Sequence, residues 1–166
     1  MKVLGIDPGI DRLGWAVIEH VGATDTWRAS GCILTDRGTP LPDRLLSAGN
    51  ALRTILLEHQ PDAVGVEELF FAKNAKTAMM VGQARGMILF VAAASHVPII
   101  ELTPNAIKLS VTGSGAADKK QVEKMVRMII KNFPKGKRLD DEIDAMAVAL
   151  AAAQIYKNPK LKNEST

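Results

Sequence analysis

The sequence predicts an α/β fold in which a mixed five-stranded sheet is flanked by helices. Two observations lead to this prediction. Turn-rich gaps separate three apolar segments near the N-terminus, which is typical of an antiparallel meander. Farther along, helical segments alternate with two more apolar runs, and a β-α-β step forces its two strands to lie parallel.

Five apolar runs bounded by turn residues are the predicted strands. They span residues 2–6, 13–19, 27–34, 63–66 and 97–102. The first run stops at the turn Asp7-Pro8-Gly9, and the fourth leads directly to Glu67. Both acidic residues are therefore expected at the ends of strands.

Five segments with a helical spacing of apolar residues are the predicted helices. They span residues 41–60, 74–95, 104–109, 118–132 and 140–156. Pro61 ends the first, and Asn74 and Asp118 suit the N-caps of the second and fourth. Because 166 residues suffice for one core, residues 1–156 are predicted to form a single domain, followed by a polar, disordered tail over 157–166.

The composition is that of a globular protein, with 47% hydrophobic and 23% charged residues. Cys32 is the only cysteine, so no intrachain disulfide can form. We see no signal peptide, and no apolar run approaches the roughly 20 residues that cross a bilayer. Together these observations predict a cytoplasmic location.

Positive charge is concentrated in one part of the chain. The net charge is only +3, but residues 119–138 contain eight basic residues and one acidic residue. A polyanionic partner such as nucleic acid would explain this asymmetry. A charge run alone is more often a solvated helix face, so the interpretation needs support from other features.

Four carboxylates form the predicted catalytic and metal site: Asp7, Glu67, Asp141 and Asp144. Two follow strands, and the two on the last helix are three residues apart and so share a face. Converging like charges require a counter-cation, and oxygen ligands without histidine or cysteine suit Mg²⁺ or Mn²⁺. Two such cations would cleave phosphodiesters through metal-activated water. Each acid alone also suits a turn or a helix N-terminus.

Residues that could contact DNA lie close to these acids in the sequence. Phe70 and Phe71 follow Glu67, and aromatic side chains in a polar loop can stack on bases. We expect one of the two to anchor the loop in the core instead. Helix N-termini and lysines bind phosphate, and the candidate lysines are Lys73, Lys108, Lys119 and Lys120.

A stripe of small residues marks the second predicted helix. Ala78, Gly82 and Gly86 recur four residues apart. The stripe would allow either another helix to approach closely or the helix to pack on the sheet beneath it. The residues alone favour neither interpretation.

Four motifs closely resemble the RuvC family of Holliday junction resolvases. They are GIDPG at 5–9, EELFFAKN at 67–74, GQARG at 82–86 and DEIDA at 141–145. The likeness covers nearly the whole chain except the tail. It implies an RNase H-like fold and a homodimer that binds four-way DNA junctions, nicks two strands symmetrically in recombination and repair, and works with the RuvA–RuvB branch-migration complex.

The resemblance also implies roles for individual residues. The catalytic acids of the family correspond to Asp7, Glu67, Asp141 and Asp144, its base-contacting aromatic to Phe70, and its important basic residues to Lys108 and Lys119. The helix with the small-residue stripe matches the dimerisation helix, which favours an interface.

Some alternatives remain open at the level of sequence. Asp140 could replace Asp141, because Asp140 and Asp144 also share a helix face. Only one of Glu67 and Glu68 can face the metals if the strand alternates. The Asp7-Pro8-Gly9 turn also occurs in actin-like ATP-dependent phosphotransferases, and a non-catalytic nucleic-acid-binding module or an RNA-trimming enzyme would share the basic segment.

Overall fold

A computed structural model describes residues 1–68 and 75–157 of the chain. The strands are β1 (Lys2–Asp7), β2 (Arg12–Val21), β3 (Thr24–Leu34), β4 (Ala63–Glu67), β5 (Ile99–Leu102) and β6 (Ile130–Lys131). The helices are α1 (Leu41–His59), α2 (Ala75–Ala94), α3 (Pro104–Thr112), α4 (Lys119–Ile129) and α5 (Asp140–Lys157). The predicted cap Asn74 and all but the first residue of the predicted tail lie outside these ranges.

The strands form one mixed sheet in the order β5-β4-β1-β2-β3-β6. The first three strands pair antiparallel, as the turn-rich gaps predict. The pairs β1–β4, β4–β5 and β3–β6 are parallel. Because β1 lies between an antiparallel and a parallel neighbour, the predicted mixed sheet is confirmed.

The sheet has one strand more than the five predicted. A capping box at Asp118 starts α4, in agreement with the sequence. The predicted helix 118–132 nevertheless stops at Ile129, because Ile130 turns extended and pairs with Asp25 of β3. An apolar isoleucine pair suits a helix face and a strand equally well, and pairing with a distant strand decides between them.

Helix α5 lies very close to the sheet, and this closeness explains its many alanines. A Cβ placed on Gly5 of β1 would lie 2.1 Å from the carbonyl oxygen of Ala145, and one on Gly14 of β2 only 2.0 Å from that of Asp141. The larger of the two core clusters contains ten buried residues of α5, Ile143 and every residue from Ala145 to Ala153, whereas α1 and α2 cover the opposite face of the sheet. The contact brings the N-terminal turn of α5 to the carboxyl end of β1.

Within the described ranges, no helix combines the length and the apolarity that a membrane crossing requires.

Candidate active site

The first pair of predicted ligands is positioned by the sheet. Strands β1 and β4 are parallel neighbours in which Ile6 pairs with Val66. The next residue on each strand, Asp7 and Glu67, therefore lies beside the other at the carboxyl ends of the strands. We call these two residues the strand pair. Residues 3–6 and 63–66 are buried, so the packed strands fix the backbone positions of Asp7 and Glu67.

The second pair, Asp141 and Asp144, comes from the first turn of α5, and we call it the helix pair. Burial, followed by the charges of Glu67, Asp144 and Asp141, raises the pKa of Asp7 from 3.8 to about 7. Burial also raises the pKa of Glu67 and of Asp144, and each of these shifts is increased by a neighbouring acid of the site. The four predicted carboxylates are thus close enough to interact electrostatically.

Two cationic side chains of the protein lie against the helix pair. Lys119 Nζ is 2.8 Å from Asp144 Oδ2 and 3.5 Å from Asp140 Oδ2. Although partial burial opposes it, the hydrogen bond to Asp144 raises the pKa of Lys119. Arg12 Nε lies 3.2 Å from Asp141 Oδ2. That oxygen is shielded from solvent and has no hydrogen-bond partner, so the Arg12 contact is an ion pair without hydrogen-bond geometry.

The donor set of the site fits a hard divalent cation. All four predicted ligands offer carboxylate oxygens, their mutual repulsion favours a counter-cation, and Asp141 Oδ2 is an enclosed oxygen without a hydrogen bond. As the side chains stand, no three acidic, histidine or cysteine residues in the described part of the chain form a coordinating group. The Lys119 and Arg12 side chains occupy part of the space around the helix pair instead.

A cleft of about 210 Å³ opens beside the acids. Its lining combines two carboxylates with two lysines and an apolar wall. The lining residues are Glu67, Pro104, Ile107, Lys108, Lys119, Val122, Asp144, Ala147 and Val148. An anion that entered this cleft would meet the positive charge of Lys108 and Lys119, while the carboxylates Glu67 and Asp144 would require a cation between them and the anion.

Comparison with known proteins gives a family for this arrangement. The family profile described as crossover junction endodeoxyribonuclease RuvC matches residues 3–152. The chain belongs to the RuvC family. It is 44% identical to the RuvC of Chloroflexus aggregans over 98% of the chain and 97% of the relative, and 44% identical to that of Thermosipho melanesiensis over 92% and 97%.

Solved structures of Holliday junction resolvases share the fold. A Thermus thermophilus RuvC structure in complex with Holliday junction substrate has a TM-score of 0.88 at 33% identity, covering 96% of each chain. A yeast mitochondrial Holliday junction resolvase, at 15% identity and a TM-score of 0.69 over 98% of this chain and 83% of its own, shares the fold alone.

Membership of the RuvC family confirms the predicted RNase H-like fold and the predicted class of enzyme, a crossover junction endodeoxyribonuclease that depends on divalent metal. The alternative of an actin-like phosphotransferase, and that of a binding module without catalysis, are thereby set aside.

The predicted residues differ in how close to the cleft they lie. Lys108 and Lys119 line it, whereas Lys120 is exposed and is not among the lining residues. Glu67 lines the cleft and Glu68 does not. The Asp141 side chain is 18% exposed, compared with 73% for Asp140. The predicted DNA contacts Phe70, Phe71 and Lys73 lie outside the described residues.

The sequence interpretation missed two groups of residues that hold the site in place. Glu142, which is 7% exposed, accepts a hydrogen bond of 3.0 Å from Ser30 Oγ of β3 and lies 3.6 Å from Arg138 Nη1. This contact holds the N-terminal turn of α5, with Asp141 and Asp144, on the sheet. Its partners are 112 positions apart, so no local pattern predicts it.

The other group supports the turn between β1 and β2. The buried Arg44 of α1 donates hydrogen bonds to Asp11 Oδ1 at 2.5 Å and to Thr35 Oγ1 at 2.9 Å. The Thr35 hydroxyl donates in turn to the carbonyl of Ile10. The hydrogen bonds from Arg44 and Arg37 lower the pKa of Asp11. The turn that follows Asp7 is therefore tied to helix α1.

The stripe of small residues on α2 does not pack on the sheet at Gly86. A Cβ placed there would meet no atom within 4 Å, and Gly86 is exposed. Met79 and Phe90, seven residues before it and four after it, are 67% and 69% exposed. The interpretation that the stripe packs on the sheet therefore does not apply at Gly86.

Proposed function

We propose that this chain resolves four-way DNA junctions by paired, symmetric nicks, hydrolysing phosphodiesters with two divalent cations, in homologous recombination and DNA repair. The observation that carries the proposal is the cleft in which Glu67 and Asp144 face Lys108 and Lys119. In a two-metal site the cations stabilise the attacking and the leaving oxygens of the scissile phosphate, and this cleft combines acids that could hold metals with lysines that could hold phosphate.

Asp7, Glu67, Asp141 and Asp144 are the proposed ligands of the two cations, Mg²⁺ or Mn²⁺. When bound, such cations activate water and stabilise the leaving oxygen. The raised pKa values of Asp7 and Glu67 support this assignment, because burial and then the charges of neighbouring carboxylates raise them, as expected for enclosed acids that lie together. The low exposure of the Asp141 side chain supports Asp141 over Asp140 as the fourth ligand.

The proposed DNA contacts are of two kinds. Lys108 and Lys119 bind the phosphate at the cleft, and Lys120 extends this basic surface outside it. The segment 119–138, with eight basic residues and one acid, supports a longer path for the backbone of the DNA. The resemblance to the RuvC family extends the contacts to Phe70, which would stack on bases. Phe71, as the alternative stacking ring, and Lys73, as a phosphate contact, are proposed from the sequence.

We further propose that the protein is a cytoplasmic homodimer that pairs through α2 and cooperates with the RuvA–RuvB complex. The exposed Met79 and Phe90, on either side of the open Gly86, support a close helix–helix contact. Two active sites related by a twofold axis would nick two strands at equivalent points. The complex of the T. thermophilus relative with a Holliday junction supports four-way junction DNA as the substrate of this chain as well.

A junction cleavage assay tests the proposed function. Synthetic four-way junctions, labelled on each strand in turn, are incubated with the protein in Mg²⁺ and in Mn²⁺, and the products are sized. We expect paired nicks at symmetric positions with ligatable ends. Asp7→Asn should bind the junction normally and cut it at least about 10³-fold more slowly.

The matched control is Asp43→Asn, which changes an exposed aspartate of α1 and should cut like the unaltered protein. Normal cleavage by Asp7→Asn would contradict the proposed metal site. Cleavage of RNA–DNA hybrids in preference to junctions would contradict the proposed substrate.

A further inference from the structure

The acids of the helix pair open into different surfaces. Asp144 lines the cleft of about 210 Å³ together with Glu67, Lys108 and Lys119, whereas Asp141 lines a second, wider groove of about 980 Å³. The other lining residues of that groove are Gly9, Ile10, Asp11, Arg12, Leu34, Thr35, Asp36, Arg37, Met80 and Val81. Asp141 is the only proposed ligand in this lining, so its surroundings differ from those of the other three.

Arg12 is the cation that this groove offers to Asp141. Its side chain is 53% exposed and extends from the first residue of β2. The other two arginines near the turn are used differently, since Arg37 and Arg44 both donate hydrogen bonds to Asp11. Arg12 thus balances the charge of Asp141 without a hydrogen bond to Oδ2, which remains unpartnered.

A role for this groove as a phosphate site is the less favoured interpretation. Its lining contains the two arginines Arg12 and Arg37 but three acids, namely Asp11, Asp36 and Asp141. The charges therefore do not favour an anion. A side chain that is half exposed and held by one charge contact is instead easily displaced by a stronger cation.

We propose that Arg12 competes with a divalent cation for Asp141, and that its guanidinium must leave this carboxylate before Asp141 can act as a ligand. This inference rests on the proposed function, in which Asp141 is a metal ligand. Arg12 then lowers the affinity of the protein for the cation that has Asp141 as a ligand. The affinity for a cation held by the strand pair and Asp144 alone is unchanged.

The affinity of the protein for Mn²⁺, measured by calorimetry without DNA, tests the proposal independently of cleavage. Arg12→Gln removes the charge and keeps much of the side chain. We expect it to bind Mn²⁺ about two- to fivefold more tightly, the range expected for loss of an exposed ion pair. The gain should shrink at high ionic strength, and Arg12→Lys should resemble the unaltered protein.

Arg37→Gln is the matched control, because Arg37 lines the same groove but pairs with Asp11. It should leave the Mn²⁺ affinity unchanged. In an Asp141→Asn background, Arg12→Gln should also have no effect, since the competed ligand is gone.

Equal or weaker Mn²⁺ binding by Arg12→Gln would overturn the proposal. If Asp141→Asn still weakened Mn²⁺ binding in that case, the proposed metal site would stand and only the competition would be wrong. If Asp141→Asn changed neither Mn²⁺ binding nor junction cleavage, the assignment of Asp141 as a ligand would fail first, and the competition with it.

Discussion

The strand pair and the helix pair differ in how their negative charge is balanced. Within residues 1–68 and 75–157, neither Asp7 nor Glu67 forms an ion pair, whereas Asp141 contacts Arg12 and Asp144 contacts Lys119. Burial, and then the charges of neighbouring acids, raise the pKa of Asp7 and of Glu67, most clearly at Asp7, and burial also raises the pKa of Asp144 despite its contact with Lys119. The helix pair has a substitute cation for each acid.

The difference suggests that the two pairs respond differently to metal. A cation near the strand pair relieves a repulsion that is already present, so its binding is opposed by no existing contact. A cation near the helix pair has to displace Lys119 or Arg12 first. If the four acids bind metal as proposed, we expect the strand pair to be the preset part of the site and the helix pair to be the part that rearranges.

The largest expected effect separates the two pairs by cleavage rate. We expect Glu67→Gln to lower the single-turnover rate of junction cleavage at least about 10³-fold, and Asp141→Asn only about 10–10²-fold, because Asp141 lies in a separate groove beside its own counter-cation. Glu58→Gln, a change at an exposed glutamate of α1, should have no effect. Equal losses for the two site variants would mean that all four acids act as one unit.

The next effect uses Cys32 as a natural reporter beside the helix pair. Burial, and then the charges of Asp141 and Glu142, raise the pKa of Cys32 from 9.0 to about 11. Because only the thiolate reacts, we expect alkylation near pH 8 to be about 10²-fold slower in the folded protein than in urea. Asp141→Asn should speed the reaction modestly. A folded rate equal to the unfolded rate would contradict the raised pKa of Cys32, and an unchanged rate in Asp141→Asn would show that the charge of Asp141 does not reach the thiol.

The sequence was sufficient to predict the strand pair because its position depends on local rules. An apolar run that ends at an acid places that acid at a strand end, and parallel pairing places two such ends side by side. The helix pair was likewise visible as two acids three residues apart. The RNase H-like fold, which the family motifs imply, is confirmed by the family.

The surroundings of the helix pair were not predictable in the same way. The contacts Arg12–Asp141 and Ser30–Glu142 join residues more than 100 positions apart, and no periodicity encodes them. Strand β6 was missed because its pairing with β3 is also long-range. Local patterns therefore predicted which acids lie close together, while the contacts that balance and hold them required the tertiary structure.

A smaller effect concerns the metal-free stability of the strand pair. The pKa of Asp7 lies near 7 in the folded protein and near 3.8 when unfolded, so charging Asp7 disfavours the folded state. The ionised Asp7 therefore lowers the free energy of unfolding most strongly above pH 7, and this penalty diminishes as the pH falls toward 4. At pH 8 without metal, Asp7→Asn should raise the free energy of unfolding by about 1–3 kcal/mol. Each kcal/mol should raise the Tm by about 2–4 °C.

The pH profile is the control for this stability effect. The difference in Tm between Asp7→Asn and the unaltered protein should shrink as the pH falls below 7, and saturating Mn²⁺ at pH 8 should reverse its sign by stabilising only the intact site. A Tm difference that is constant from pH 8 to pH 5 would contradict the assignment of the raised pKa to Asp7.

The smallest effect tests whether the position of the helix pair depends on the hydrogen bond between Ser30 and Glu142. Ser30→Ala removes the 3.0 Å hydrogen bond to the buried Glu142 and should cost about 1 kcal/mol of stability. Because this bond holds the turn that carries Asp141 and Asp144, we expect slower junction cleavage at limiting Mn²⁺ and recovery in excess Mn²⁺.

Ser110→Ala is the matched variant, since the Ser110 hydroxyl donates to Gln154 Oε1 near the other end of α5. That exposed bond should be worth less, and its loss should not change the Mn²⁺ dependence of cleavage. If the two serine variants required the same Mn²⁺ concentration, loosening either end of α5 would be equivalent. The helix would then carry its acids as a rigid body, and the helix pair would be as preset as the strand pair.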